Sequence, residues 1–153
     1  MTKTLKNLQD AFAGESQANR KYLAFAEKAE SEGKPGVAKL FRAAAAAETI
    51  HAHAHLRLMK GVGTTEENLK GAIEGETFEF ESMYPQMIKE AEAEGEKAVH
   101  RYFGFANEAE KVHAELYTAA LKTDGDTFAD AEFYICKIIQ YNNMSNTSSV
   151  YVN

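Results

Sequence analysis

Two copies of a Glu-x-x-His motif are the residues of this sequence best suited to chemistry. They read Glu48-Thr49-Ile50-His51 and Glu110-Lys111-Val112-His113. Residues three apart lie on one face of an α-helix, so each copy can present a carboxylate oxygen and an imidazole nitrogen to one point. Each copy predicts half of a metal chelate, although a single copy on a helix is common and indicates little alone.

Further glutamates fall on the apolar stripes of their helices. Glu15 shares a helical line with Leu8 and Phe12, and Glu76 shares one with Ile73. We therefore expect five glutamates and two histidines to converge on one core: Glu15, Glu48, His51, Glu76, Glu79, Glu110 and His113.

Five inward carboxylates would destabilise an ordinary domain, because burying even one unpaired carboxylate costs several kcal/mol. Two divalent metal ions would supply four positive charges against these five negative ones. Mixed carboxylate and imidazole ligation suits iron, manganese or zinc, whereas the absence of thiolates disfavours copper(I) and iron–sulfur clusters. Two Glu-x-x-His copies, each with an inward glutamate upstream, predict a dimetal site in a helical bundle, with iron as the first choice.

Other polar residues near the stripes have less certain roles. His55 lies one turn beyond His51 and is predicted to be a core or supporting histidine rather than a ligand. Tyr22 and Tyr84 lie two turns beyond Glu15 and Glu76, where hydrogen bonding to metal ligands and a purely structural role are equally compatible with the pattern.

Helix breakers divide the first 122 residues into four segments of more than twenty residues each, with boundaries near 31–35, 61–63, 95 and 124–125. Pro35 suits the first turn of the second helix, and Thr64 with Glu67 forms a capping-box signature before the third. The first two helices resemble the last two, since 13–16 echoes 74–77 and 29–33 echoes 91–95. The sequence predicts an all-α, four-helix bundle of two similar hairpins.

Composition excludes several classes of function. The net charge of -6 argues against a nucleic-acid binder, which needs a concentrated basic face. No apolar stretch is long enough to span a membrane, and the first residues lack the apolar core of a signal peptide, so we expect a soluble cytoplasmic protein. Cys136 is the one cysteine of the sequence, which rules out an internal disulfide and a multi-thiolate metal site within one chain.

The motifs together resemble the helical domain of the rubrerythrin family, within the ferritin-like group. The resemblance covers residues 4–122 and is carried by five segments, which are 13–19, 48–51, 74–79, 83–85 and 110–113. It implies a ferritin-like di-iron domain over residues 1–122, followed by a tail over 123–153.

The resemblance implies that the seven residues named above ligate two irons, with Glu15 mirrored by Glu76. Glu79 has no counterpart at Ala18, and the resemblance implies that one iron moves between His51 when reduced and Glu79 when oxidised. The implied activity is reduction of hydrogen peroxide to water in protection against oxidative stress, with Tyr22 and Tyr84 as supporting tyrosines. Dioxygen reduction, or the oxidation and handling of iron, is the alternative function.

The tail differs from the family pattern. Residues 133–138 resemble the start of a rubredoxin domain, but Ile139 and Gln140 replace the expected cysteine and glycine. Such a segment cannot hold an iron–tetrathiolate site, so electrons are expected from an external donor, either a rubredoxin-like protein or a reductase. We expect a short β-prone run at 133–135 and disorder within the polar stretch 142–149.

The link between the second and third helices predicts how chains associate. In a ferritin-like bundle these helices run parallel, so the chain must return about 28 Å along the bundle at 1.5 Å per residue. Six extended residues reach only about 20 Å. We therefore expect a domain-swapped homodimer whose sites take ligands from both chains.

Overall fold

The computed structural model describes residues 1–123, 128–129, 133–138 and 147–152. It consists of two compact units, Met1–Gly63 and Thr64–Asn153. Each unit contains one of the two helical hairpins that the sequence repeat predicts. No helix within the described ranges combines the length and the hydropathy needed to cross a membrane.

The first unit is a hairpin of two helices, α1 (Lys3–Ser31) and α2 (Pro35–Leu58). The turn between them depends on Gly33, whose φ of 70° is readily adopted by glycine. The Gly33 and Lys34 amides donate to carbonyls of α1, and Pro35 then opens α2 as predicted. Alanines form the buried core, which lets the helix backbones approach closely; they are Ala26, Ala29, Ala38, Ala45 and Ala52.

The second unit contains α3 (Thr65–Phe78), a π-helical segment (Glu79–Met83), α4 (Tyr84–Ala93) and α5 (Lys97–Lys122). The capping box at the start of α3 is confirmed, because Thr64 and Glu67 exchange side-chain and backbone hydrogen bonds. Gly95, with a φ of 77°, ends α4 in the same way that Gly33 ends α1. The π segment, α3 and α4 together form the third of the predicted helices.

The π segment was not predicted, and its position has a physical reason. Pro85 has no amide hydrogen and its ring clashes with the carbonyl four residues earlier in a regular α-helix. The widened turn just before Pro85 removes that conflict, so the helix continues through the proline to Ala93. The predicted all-α, four-helix architecture is confirmed over the first 122 residues.

The tail contains two short strands, β1 (Phe133–Ile138) and β2 (Thr147–Val152), which pair antiparallel with Phe133 opposite Val152. The predicted β-prone run is confirmed and extends three residues further. Within the polar stretch for which disorder is expected, Thr147–Ser149 pair with Ile138, Lys137 and Cys136. The rest of that stretch, 142–146, lies outside the described residues.

Candidate metal centre

The first candidate metal group lies within the α1–α2 hairpin and consists of Glu15, Glu48 and His51. One ligand atom of each residue lies within 4.8 Å of the others. His51 Nδ1 is 2.9 Å from Glu48 Oε2 and 4.0 Å from Glu15 Oε1. The His51 side chain is 55% exposed, so this group is open to solvent at its imidazole.

The second group lies within the unit that contains α3 and α5 and consists of Glu76, Glu110 and His113. Its ligand atoms also lie within 4.8 Å of one another. His113 Nδ1 is 2.8 Å from Glu110 Oε2 and 3.6 Å from Glu76 Oε2. The His113 side chain is 28% exposed, about half the exposure of its counterpart His51. The two motifs thus form the same local chelate in different surroundings.

Carboxylates crowd the second group. Burial and repulsion by the Glu110 carboxylate raise the pKa of Glu76, and the nearby His113 offsets part of this shift. Burial and the same Glu110 carboxylate raise the pKa of Glu79, which lies one turn after Glu76. Glu79 is not one of the three tightly grouped ligands, but it is close enough to interact with both Glu110 and His113. This concentration of acidic oxygens favours binding of a cation.

The two predicted tyrosines occupy equivalent positions in their hairpins. The Tyr22 ring centroid lies 6.1 Å from that of Phe41, and the Tyr84 ring centroid lies 5.8 Å from that of Phe103. Burial, followed by the charges of nearby carboxylates including Glu110, raises the pKa of Tyr84. Tyr84 therefore stays protonated at neutral pH and can donate a hydrogen bond near the second group.

His55 belongs to neither group of three in the described part of the chain. Its Nδ1 atom is buried and has no hydrogen-bond partner among the described residues.

The π segment beside Glu79 was not predicted from the sequence, although the spacing of the two repeats changes there. Glu15 and Glu76 are 61 residues apart, whereas His51 and His113 are 62 apart.

The donor set fits a divalent transition metal. Each group offers two carboxylates and one imidazole, a combination suited to iron, manganese or zinc. Helices that carry Glu-x-x-His beside an inward glutamate are the components of ferritin-like dimetal carboxylate proteins. The fold and the two groups place the molecule in that class.

Comparison with known proteins narrows the class. The rubrerythrin family model matches residues 6–121. The chain belongs to the rubrerythrin family, whose members bind a di-iron centre.

Individual relatives cover most of the chain. Nigerythrin of Nitratidesulfovibrio vulgaris is 40% identical over 153 residues, which cover 90% of this chain and 75% of nigerythrin. Rubrerythrin-2 of Clostridium acetobutylicum is 35% identical over 147 residues, or 86% of this chain and 80% of the relative. The solved structure of partially reduced nigerythrin matches with a TM-score of 0.52 and 34% identity, covering 99% of this chain and 78% of that one.

Proposed function

We propose that this protein is a non-haem di-iron peroxidase that reduces hydrogen peroxide to water with electrons from an external donor. The observation that carries the proposal is the pair of Glu/Glu/His groups, each built on a Glu-x-x-His helix. Its setting is a family whose members bind a di-iron centre. The relative nigerythrin has a solved structure in a fully reduced, all-ferrous state, which supports iron over manganese or zinc.

The proposed iron ligands are the seven residues predicted from the sequence. Glu15, Glu48 and His51 supply one side of the centre, and Glu76, Glu110 and His113 supply the other, with Glu79 as the additional carboxylate. When bound there, two ferrous ions would supply the two electrons that, with two protons, reduce one hydrogen peroxide to two waters. Tyr84 holds a proton beside the second group, and Tyr22 is its proposed equivalent beside the first.

The electron donor is proposed to be a separate protein. A rubredoxin-type iron site needs four thiolates, and these 153 residues include a single cysteine, Cys136. Such a site cannot form from these residues alone, and a rubredoxin-like protein or a reductase is the proposed source of electrons for the di-iron centre. A cytoplasmic location fits such donors and stays a prediction.

The alternative functions share the same ligands. An iron-handling protein would oxidise ferrous iron as substrate, and a dioxygen-reducing protein would react faster with oxygen than with peroxide. Iron storage would require a large hollow assembly, whereas a dimer or tetramer of these 16.9 kDa chains would favour the peroxidase.

Anaerobic stopped-flow absorbance tests the peroxidase. The protein is loaded with ferrous iron, its iron per chain is counted, and it is mixed separately with hydrogen peroxide and with air-saturated buffer. We expect two irons per chain, fast oxidation by peroxide and slow oxidation by oxygen. Faster reaction with oxygen would favour the alternatives, and a protein that binds no iron would exclude all three.

We further propose that each di-iron centre combines the first group of one chain with the second group of another. Ferritin-like bundles contain one long crossover connection, but here only residues 59–64 separate α2 from α3. The first of these residues fold back, since the Lys60 and Gly61 amides each donate 2.9 Å hydrogen bonds to carbonyls of α2. Thr64 is already the N-cap of α3.

The remaining link is too short for the crossover. From Gly61 to Thr65 an extended chain covers about 14 Å. A crossover that sets the two groups at one level must span the helix from His51 to Leu58 and that from Thr65 to Glu76, about 27 Å at 1.5 Å per residue. The exposed His51 is consistent with a group completed by a hairpin of a second chain.

Subunit mixing distinguishes a swapped dimer from a closed single chain. Glu48→Ala/His51→Ala disables the first group, and Glu110→Ala/His113→Ala disables the second, so each variant alone should be inactive. In a swapped dimer, refolding the two variants together recreates one intact centre in each mixed dimer. Random pairing should then restore about a quarter of wild-type activity. Refolding each variant alone is the control, and no recovery on mixing would reject the swap.

A further inference from the structure

The two hairpins differ by one residue at a defined place. Glu15 precedes Tyr22 by seven residues, whereas Glu76 precedes Tyr84 by eight. Every equivalent pair from the tyrosines onward, including Phe41 with Phe103, is 62 residues apart. The second hairpin therefore contains one extra residue between Glu76 and Tyr84.

The extra residue lies where the helix changes type. The first hairpin has an unbroken α-helix over Lys3–Ser31. The second has the π segment Glu79–Met83, after which the Tyr84 amide donates to the carbonyl of Glu79, five residues earlier. A π turn contains one residue more than an α turn, so the segment can absorb one insertion without rotating the helix beyond it.

Helix geometry shows what this absorption achieves. Seven residues at 100° each turn through about 700°, about 20° short of two full turns, so Tyr22 lies on the face of Glu15. Eight residues of regular α-helix would place Tyr84 about 80° past Glu76 and about 140° from Glu79. With one residue absorbed, Tyr84 returns to within about 20° of Glu76 and about 40° of Glu79.

The packing agrees with the absorbed position. The Tyr84–Phe103 and Tyr22–Phe41 ring pairs have centroid distances of 5.8 and 6.1 Å. Ala91, seven residues after Tyr84, is 5% exposed, and its equivalent Ala29 is 6% exposed. If α4 were rotated by the 100° of one residue, Tyr84 and Ala91 would lie on a different face from their equivalents Tyr22 and Ala29.

We propose that the π segment is a positioning element of the metal centre, which holds Glu76, Glu79 and Tyr84 in one sector of the third helix. This inference rests on the proposed metal-binding function. It explains how the second hairpin contains one extra residue between Glu76 and Tyr84 and still places Tyr84 in the position that matches Tyr22. The first hairpin, with Ala18 in place of that carboxylate, has no insertion and no π segment.

Changing the spacing between Glu76 and Tyr84 tests the proposal in metal-free protein. Ser82 is exposed within the π segment, so its deletion shortens the spacing to seven residues with little loss of packing. Insertion of one alanine after Ser82 lengthens it to nine. The protein is labelled with 3-fluorotyrosine, and Tyr84→Phe assigns the fluorine resonance of residue 84.

Deletion of Ser82 should convert the π segment to α-helix and leave the Tyr84 resonance in place. The alanine insertion should move the resonance towards the position of an exposed tyrosine. Displacement of the resonance by the deletion, or no displacement by the insertion, would overturn the proposal. Tyr22 is the internal reference, because its resonance should stay constant in both variants.

Two additions keep the result interpretable. Deletion of the neighbouring exposed Glu81 gives the same spacing and replaces the Ser82 deletion if that variant fails to fold by circular dichroism. Zinc is then added to each folded protein, and the Tyr84 resonance should shift in the wild type and the deletion variant but not in the insertion variant. A wild type that binds no zinc would reject the proposed metal function, while the metal-free comparison would still decide the role of the π segment.

Discussion

The two candidate metal groups share a motif but differ in environment. The distance between the histidine and the glutamate of the motif is 2.9 Å in the first hairpin and 2.8 Å in the second. Yet His51 is 55% exposed and His113 is 28% exposed. The Glu-x-x-His spacing therefore fixes the chelate, whereas residues outside the motif set its surroundings.

Those outside residues belong chiefly to the third helix. Glu79 adds a carboxylate where the first hairpin has Ala18. Burial, and then the charges of Glu110 and Glu79, raise the pKa of Tyr84. Repetition of a hairpin thus gives two similar ligand sets, and a one-residue insertion accompanies their divergence.

Removing either motif should have the largest effect. Glu110→Ala/His113→Ala and Glu48→Ala/His51→Ala should each lower bound iron from two per chain to at most one. Loss of a residue that only supports a ligand costs about 10–100-fold, so loss of two ligands should lower peroxide turnover by at least about 100-fold. Iron analysis and steady-state peroxide consumption measure the two effects.

The matched control for this pair is Glu66→Ala/Lys70→Ala, which removes an exposed ion pair on α3 away from the motifs. That variant should retain two irons and full turnover. Circular dichroism of each metal-free variant checks that the helices persist. A motif variant that keeps both irons and wild-type turnover would show that its residues are not ligands.

The two groups should also differ in how their zinc affinity changes with pH, and this difference should be smaller than the loss of turnover in the motif variants. Metal binding requires the ligands to lose their protons, and raised pKa values make this loss harder as pH falls. Glu76 and Glu79 have raised pKa values, so the affinity of the second group should decrease more steeply between pH 7.5 and 5.5. We expect the second group to lose more affinity than the first over this range.

The two motif variants provide the measurement, because each retains one group. Isothermal titration with zinc is performed on Glu48→Ala/His51→Ala, which retains the second group, and on Glu110→Ala/His113→Ala, which retains the first. Equal pH slopes would mean that the carboxylate cluster around Glu110 does not control binding.

Local signals predicted much of this architecture. Pro35 and the Thr64–Glu67 capping box marked helix starts that the structure confirms, since each acts within one turn of its helix. The Glu-x-x-His spacing likewise predicted which histidine would meet which glutamate. Such features depend on helix geometry alone, which is the same wherever the helix packs.

Features that depend on distant residues were not predictable in this way. Strand β2 begins with the polar run Thr147-Ser148-Ser149, which pairs with residues about ten positions earlier. The exposure of His51 depends on what packs against α2, which the motif does not encode. The π segment was readable as a change of repeat spacing, but only by comparing the two hairpins residue by residue.

The N-caps of α1 and α3 should contribute different amounts to the free energy of unfolding. Thr64 takes part in two reciprocal hydrogen bonds with Glu67, of 2.7 and 3.2 Å, whereas Thr2 accepts one bond of 3.2 Å from Leu5 near the chain end. Thr64→Ala should destabilise the metal-free protein by about 1 kcal/mol, or ~4 °C in Tm. Thr2→Ala should lower Tm by less in the same calorimetric scan, and equal effects would contradict the importance of the capping box.

The smallest predicted effect is an increase in Tm, caused by a substitution at Glu76. The folded-state pKa of Glu76 is raised, so folding favours its protonated form, and stability is lost as pH rises through that pKa. Glu76→Gln removes this loss and should raise the metal-free Tm at pH 7.5, by less than Thr64→Ala lowers it. At pH 4 most of this difference in Tm should disappear, because Glu76 is then mostly protonated in both the folded and unfolded states. With iron bound, wild type should have the higher Tm, since only wild type keeps the Glu76 carboxylate, a proposed ligand. If Glu76→Gln is less stable than wild type without metal at pH 7.5, carboxylate crowding does not destabilise this group.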